Sequence, residues 1–134
     1  MKNRTTPELI TTLQPNEIFV FGSNLAGQHG AGAAKQALQF GALYGIGEGF
    51  VNQTFAIPTK DSKLKVLDIF MIKEYIDVFI DIAKIENTST FLVTKIGCGL
   101  AGYTPKDIAP LFKDAIDVSN IHLPAEFWDI LNKS

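Results

Sequence analysis

The sequence is poor in cysteine and histidine, and it has no run of basic residues. Cys98 is the only cysteine and there are 2 histidines, which excludes an internal disulfide and disfavours a dedicated metal site. The formal net charge is -2, so nothing indicates binding to nucleic acid or to an anionic membrane. Residues 1–16 are polar, unlike a signal peptide, and no stretch is apolar enough to span a bilayer. We therefore expect a cytoplasmic protein without a metal or cofactor.

Glycine is missing from most of the chain. All 11 glycines lie between Gly22 and Gly49 or between Gly97 and Gly102. Glycine weakens helices and strands, so without a special role it should be scattered. Each cluster instead follows an apolar, β-like run, which predicts two loops where the backbone closely approaches another group. In α/β proteins that group is usually a ligand that carries phosphate.

The chain of 134 residues, 46% of them hydrophobic, predicts one globular domain over residues 1–134. Strand-like and helix-like segments alternate, which predicts an α/β layered domain with a largely parallel sheet. The predicted strands are Glu17–Phe21, Thr54–Ile57, Phe91–Ile96 and Ile121–Leu123. The predicted helices are Ala31–Phe40, Asp68–Asn87, one that begins near Thr104 and one over Pro124–Leu131, with a short helical turn over Pro7–Leu13. Thr104 as N-cap with Asp107 three residues on forms a capping pair. The second helix has one broad apolar face, formed by Ile69, Ile72, Ile76, Phe79, Ile80 and Ala83.

The first glycine loop runs from Gly22 through Ser23 and Asn24 to Gly32. Free backbone N–H groups ahead of a helix can bind an anion, although tight packing of a structural turn explains the same glycines. Asn24 could bind a ribose hydroxyl or orient a water molecule, or it could cap its own loop. His29 is a candidate acid/base group, and the alternative is a loop histidine that faces solvent.

The second loop, Gly97–Gly102, reads Gly-x-Gly-x-x-Gly after a strand. Because the helix signal begins only at Thr104, a nicotinamide-dinucleotide site is a minor alternative. Cys98 is interpreted as a small packing residue rather than a nucleophile, since no sequence cue supplies a base. Lys60 and Asp61 follow another strand, where they could contact a ligand or form a surface ion pair. His122 alternates with apolar residues and is interpreted as structural.

Two segments resemble the macro domains, a family of ADP-ribose-binding α/β modules. The first is Ile18-Phe-Val-Phe-Gly-Ser-Asn24 followed by Gly27-Gln-His-Gly-Ala-Gly-Ala-Ala34. The second runs from Phe91 through Ile-Gly-Cys-Gly-Leu-Ala-Gly-Tyr to Pro105. The block from Glu17 to Phe112 resembles a group of small bacterial and phage-type proteins more closely. The resemblance implies a three-layer α/β/α sandwich, with a largely parallel or mixed sheet, that binds ADP-ribose or a related nucleotide.

The resemblance also implies roles for individual residues. Asn24 would approach the distal ribose, and Tyr103 would cover the distal sugar. The remaining expected ligand-binding residues lie in the two loops: Gly22, Ser23, Gly27, Gly30, Gly32, Gly97, Cys98, Gly99, Leu100, Ala101 and Gly102. We expect a binding module for an ADP-ribose-like ligand, free or on an ADP-ribosylated macromolecule. The alternatives are a hydrolase of such linkages, with Asn24 and His29 as catalytic candidates, and a protein-interaction module with purely structural loops.

Overall fold

A computed structural model describes residues 4–133 as an α/β fold with a five-stranded mixed sheet and four α-helices. The strands are β1 (Glu17–Asn24), β2 (Gly49–Val51), β3 (Thr54–Lys60), β4 (Thr90–Val93) and β5 (Ile121–His122). The helices are α1 (Gly32–Ala37), α2 (Ile69–Ile85), α3 (Pro105–Ile108) and α4 (Ala125–Asn132), with 3₁₀ turns at Leu38–Phe40 and Ala109–Ala115. None of the helices in residues 4–133 has the length and apolar character needed to cross a membrane.

The strand order in the sheet is β2-β3-β1-β4-β5. Strands β3, β1, β4 and β5 are parallel, and only the edge strand β2 runs antiparallel to its neighbour. The carboxyl ends of β3, β1 and β4 therefore meet at one edge of the sheet. Because each of the two predicted glycine loops follows one of these strands, this topology brings the loops to the same edge.

Alternate residues of β1 enter two separate apolar clusters. Ile18 and Val20 belong to the cluster that contains the buried face of α2. Phe19 and Phe21 belong to the other cluster, together with Ala34 and Ala37 of α1. This is the period-two alternation of a strand that is covered on both faces. The small alanines of α1 allow that helix to lie against the sheet.

Helix α2 follows the prediction closely. Asp68 is its N-cap, and the Asp68 Oδ1 accepts a hydrogen bond from the backbone N–H of Met71 at 2.9 Å. The predicted core face is confirmed for its buried members, which are Ile72, Ile76, Phe79, Ile80 and Ala83. Ile69, expected on the same face, is only partly buried at the first turn.

The helical turn predicted over Pro7–Leu13 is wrong. This segment contains no helix, because the chain before it pairs with the far end of the protein. Thr5 forms a parallel bridge with Leu123, and the Thr6 N–H donates to the carbonyl oxygen of Leu123 at 2.9 Å. Thr6 therefore continues an extended segment and does not cap a helix.

The strands also differ from the prediction. β1 continues past Phe21 to Asn24, and β4 ends at Val93 rather than at Ile96. β2 was missed, because its three residues have no alternating pattern long enough to indicate a strand. β3 continues past Pro58 to Lys60. The proline is tolerated there because β2 pairs only with Thr54–Ala56 of β3. Pro58 lies beyond the end of β2, so its missing N–H removes no hydrogen bond between these two strands.

Arg4 ties the start of the described chain to its end. The guanidinium donates hydrogen bonds of 2.7–3.0 Å to four carbonyl oxygens, those of Ala115, Ile116, Val118 and Ile121. It also lies 5.0 Å from the ring centroid of Trp128, whose Nε1–H donates to the Arg4 carbonyl oxygen at 2.8 Å. Burial lowers the pKa of Arg4, and the nearby Asp117 opposes that effect.

Candidate functional site

Both glycine loops line a single cleft of about 420 Å³ at the carboxyl ends of β3, β1 and β4. Most of the residues expected at a ligand lie in its wall. They are Gly22, Ser23, Asn24, Gly30, Gly32, Gly97, Cys98, Gly99, Leu100 and Ala101. The two loops that form the cleft are more than sixty residues apart in the sequence. They lie side by side because the strands that lead into them, β1 and β4, are neighbours in the sheet.

Four expected ligand or catalytic residues do not line this cleft: Gly27, His29, Gly102 and Tyr103. The Tyr103 hydroxyl donates a hydrogen bond to the carbonyl oxygen of Leu67 at 2.7 Å, so its side chain packs against the core. Gly102 adopts a left-handed φ of 89° in the turn before α3. Tyr103 and Gly102 therefore shape the second loop from outside the cleft.

The side chain of His29 is fully buried beneath the first loop, and it neither faces solvent nor enters the cleft. Its Nε2 lies 2.9 Å from the carbonyl oxygen of Leu43 and 3.1 Å from that of Ile46. Both partners are acceptors, so Nε2 carries a proton and donates to them. The ring makes an edge contact with Phe21 at 5.6 Å between centroids. This geometry gives His29 a structural role, joining the first loop to residues 43–46.

Asn24 lies in the cleft wall, but its amide is bonded to its own loop. The Asn24 Oδ1 accepts the backbone N–H of Gln28 at 2.9 Å, and Nδ2 donates to the Gln28 carbonyl oxygen at 2.8 Å. The loop-capping alternative of the sequence analysis therefore describes the structure. Asn24 holds the curvature of residues 24–28 and so positions the part of the loop that follows.

Several glycines are required by the packing of the protein itself. A Cβ on Gly47 would lie 1.8 Å from the carbonyl oxygen of Asn24, and one on Gly27 would lie 2.3 Å from the Gly45 carbonyl carbon. Gly27 also adopts a φ of 70°, and the Ser23 hydroxyl donates to the Gly47 carbonyl oxygen. Residues 45–47 thus lie directly against residues 23–27, with no room for a side chain at Gly27 or Gly47.

Gly30 and Gly99 differ from these glycines. A Cβ built on either one meets no atom within 4 Å, and neither adopts the left-handed conformation that favours glycine. Both line the cleft, one from each loop. The described protein therefore gives no steric or conformational reason for glycine at these two positions.

Both glycine loops line the cleft, and no carboxylate of the described residues lies in its wall. Within residues 4–133, the backbone N–H groups of Gly30 and Ala31 in the first loop have no protein acceptor. The same holds for the N–H groups of Gly99, Leu100 and Ala101 in the second loop. No side chain caps the N-terminus of α1. Such N–H groups are natural partners for an anion.

Two lysines add positive charge to the wall. Lys95 forms an ion pair with Glu126, whereas no ion pair involves Lys60 within the described residues. Lys60 stands at the end of β3, where its carbonyl oxygen accepts the N–H of Leu25 at 3.0 Å. Lys60 therefore contributes to the cleft wall a cation without an ion-pair partner among residues 4–133.

Cys98 lines the cleft as a protonated thiol. Burial raises the pKa of Cys98 to about 11, with Glu126 as a further cause. The S–H donates to the carbonyl oxygen of Ile96 at 3.5 Å. A nucleophilic cysteine needs a depressed pKa, so the environment of this thiol is that of a packing residue.

Sequence reasoning missed part of the wall. Thr59, Leu64, Thr94 and Lys95 also line the cleft. All four follow or end strands β3 and β4, so proximity to a strand's carboxyl end is the signal that could have identified them. A second hollow of about 420 Å³ adjoins the cleft and shares Ala33, Thr94 and Lys95 with it.

No group of three or more His, Cys, Asp or Glu side chains within residues 4–133 is arranged to hold a metal ion.

The chain was also compared with protein-family models, with curated proteins and with solved structures, and none of them matches it.

Proposed function

We propose that this protein binds ADP-ribose or a related nucleotide-diphosphate ligand in the cleft between its two glycine loops. We also propose that the fold is a three-layer α/β/α sandwich of the macro domain type, as the sequence resemblance implies. The observation that carries the binding proposal is the pair Gly30 and Gly99, which have no packing or backbone reason to be glycine. A ligand that closely approaches both loops supplies that reason.

The chemistry of the wall suits a diphosphate. Residues of both loops whose backbone N–H groups have no acceptor within residues 4–133 line the cleft, and Lys60 adds a cation that has no ion-pair partner in the same range. Charge-assisted hydrogen bonds from such donors to phosphate oxygens are among the stronger ones that proteins make. The same groups would bind the diphosphate of ADP-ribose whether the ligand is free or attached to a macromolecule in the cytoplasm.

We propose binding rather than hydrolysis. His29 is buried outside the cleft, both functional groups of the Asn24 amide are bonded to Gln28, and the Cys98 thiol stays protonated near neutral pH. The described wall contains no carboxylate or histidine to act as a general base.

A thermal-shift screen tests the proposal. The screen compares ADP-ribose, NAD, AMP, UDP-sugars and cyclic nucleotides, and a ligand at 100 times its Kd should stabilise the protein by about 2.7 kcal/mol. Lys60→Gln should weaken binding of the best ligand, measured by calorimetry. Lys63→Gln is the matched control, because Lys63 is exposed on the same hairpin and does not line the cleft. If no compound stabilises the wild type, the proposal fails and the interaction-module alternative gains ground.

A further inference from the structure

Leu64 has an unusual backbone conformation for a bulky residue. Its φ is 66°, in the left-handed region, where side chains larger than those of Gly, Asn and Asp are strained. Asn52 is the only other non-glycine residue with a positive φ in the described part of the chain, and asparagine commonly adopts it. Leucine is therefore an unfavourable choice for the backbone at position 64.

The hairpin around Leu64 imposes this conformation. The Asp61 Oδ1 accepts the backbone N–H groups of Lys63 at 2.8 Å and Lys65 at 2.9 Å. The Asp61 N–H donates to the Lys65 carbonyl oxygen at 2.8 Å, and the Leu64 N–H donates to the Asp61 carbonyl oxygen at 3.1 Å. These hydrogen bonds fix the backbone of the turn without any side-chain atom of residue 64. The turn itself therefore does not require leucine at that position.

Core packing does not explain Leu64 either. The residue is 44% exposed and belongs to neither apolar cluster, yet it lines the cleft. Leu100, which is 72% exposed, lines the same cleft from the second loop. The two leucines follow β3 and β4, which lie on either side of β1, so the strands that carry them are about 10 Å apart. The cleft thus has an exposed leucine on each flank of its polar floor.

We propose that Leu64 is a specificity-determining residue that packs against the ring group attached to the diphosphate, opposite Leu100. This inference rests on the proposed function and adds the class of ligand: a diphosphate that carries a sugar or base ring, in preference to a bare polyphosphate. The polar floor holds the phosphates, and Leu64 covers an apolar ring face. Contact with the ligand explains a leucine at a position where the backbone alone favours glycine or asparagine.

Calorimetry with two probes, ADP-ribose and inorganic pyrophosphate, tests the inference on the whole chain. Leu64→Gly and Leu64→Asn both suit the left-handed turn and remove the apolar side chain. We expect each to bind ADP-ribose about tenfold more weakly, as expected for losing a buried apolar contact, with pyrophosphate affinity unchanged. We also expect a melting temperature equal to the wild type or up to about 3 °C higher, because strain is relieved.

Val66→Ala is the matched control. Val66 is 46% exposed on the same hairpin and does not line the cleft, so its truncation should leave both affinities unchanged. Equal ADP-ribose affinity in the wild type and both Leu64 variants would overturn the role of Leu64 and leave the proposed function intact. Equal losses for ADP-ribose and pyrophosphate would also overturn it, since the leucine would then act on the phosphate floor. A wild type that binds neither probe overturns the proposed function and this inference with it.

Discussion

Gly47 touches the backbone of Asn24 so closely that a Cβ on Gly47 would stand 1.8 Å from the Asn24 carbonyl oxygen. That oxygen also accepts the N–H of Gly27 at 3.0 Å, and the Gly45 N–H donates to the Gly27 carbonyl oxygen at 2.9 Å. The segment over residues 45–47 therefore supports the first glycine loop from below. Gly47 is thus a glycine that the packing of the protein requires, whereas Gly30 and Gly99 border open space.

Alanine substitutions should divide the glycines into these two groups. We expect Gly47→Ala to lower the free energy of unfolding by about 3 kcal/mol or more, because backbone atoms must move to admit the methyl group. Gly30→Ala should change it by less than about 1 kcal/mol and in the stabilising direction, since its Cβ meets nothing within 4 Å. Urea denaturation of both variants measures this, and equal losses would refute the division.

A charge at position 30 should block the cleft without harming the fold. We expect Gly30→Glu to weaken binding of ADP-ribose at least tenfold, about 1.4 kcal/mol, through bulk and repulsion of the phosphates. Gln39→Glu adds the same charge at an exposed position outside the cleft and should bind like the wild type. Calorimetry on folded variants decides, and equal affinity in Gly30→Glu would assign these glycines to packing alone.

Asn24→Ala should affect the loop first and the ligand second. The change removes both hydrogen bonds to Gln28, which should lower the free energy of unfolding by about 1–2 kcal/mol. We expect ADP-ribose binding to fall less than in Gly30→Glu, because the cleft stays open. Chemical denaturation and calorimetry give the two values. An unchanged stability combined with a larger loss of binding would point instead to direct ligand contact by Asn24.

The reactivity of Cys98 should continue to rise into strongly alkaline solution. With a pKa of about 11, the thiol is protonated at pH 7–9, and the thiolate fraction grows about tenfold per pH unit below that pKa. The rate of alkylation by iodoacetamide, followed by mass spectrometry, should therefore keep increasing up to about pH 11, whereas the urea-unfolded chain should level off near pH 8.5. Cys98→Ser should keep most ligand binding. A plateau near neutral pH in the folded protein would contradict this.

His29 should matter for stability and not for ligand chemistry. His29→Phe keeps a buried ring but leaves the carbonyl oxygens of Leu43 and Ile46 without their donor. We expect a loss of about 1–3 kcal/mol in the free energy of unfolding. Tyr44→Phe is a suitable control, because the Tyr44 hydroxyl makes only a long 3.4 Å bond to the His29 carbonyl oxygen. A His29 variant with normal stability and impaired ligand binding would contradict the structural role.

Local signals in the sequence were enough to predict much of the fold. The capping pair at the start of α3 is present, with the Thr104 N–H donating to Asp107 Oδ2 at 2.9 Å. Gly41 ends the helical segment after α1 with a φ of 105°. These features depend on neighbours within a few residues, so the pattern contains the information. The shared edge of the two glycine loops was also predictable, because parallel strands align their carboxyl ends.

Other features depend on partners that are distant in the sequence. The histidine in the first loop could not be distinguished from a ligand-facing group, because its acceptors at Leu43 and Ile46 come from a separate segment. The glycines looked equivalent, yet only the structure separates Gly47, which meets backbone, from Gly30, which meets open space. The extended segment at Thr6 depends on Leu123, which no local pattern near Thr6 can reveal.

The contacts of Arg4 have a consequence for folding during synthesis. Four carbonyl acceptors between Ala115 and Ile121, and the ring of Trp128, come more than a hundred residues after the arginine that binds them. A chain still held on the ribosome cannot complete this cluster until the segment through Trp128 has left the exit tunnel. The early strands must therefore remain without this closing contact until residues 115–128 have emerged and reached Arg4.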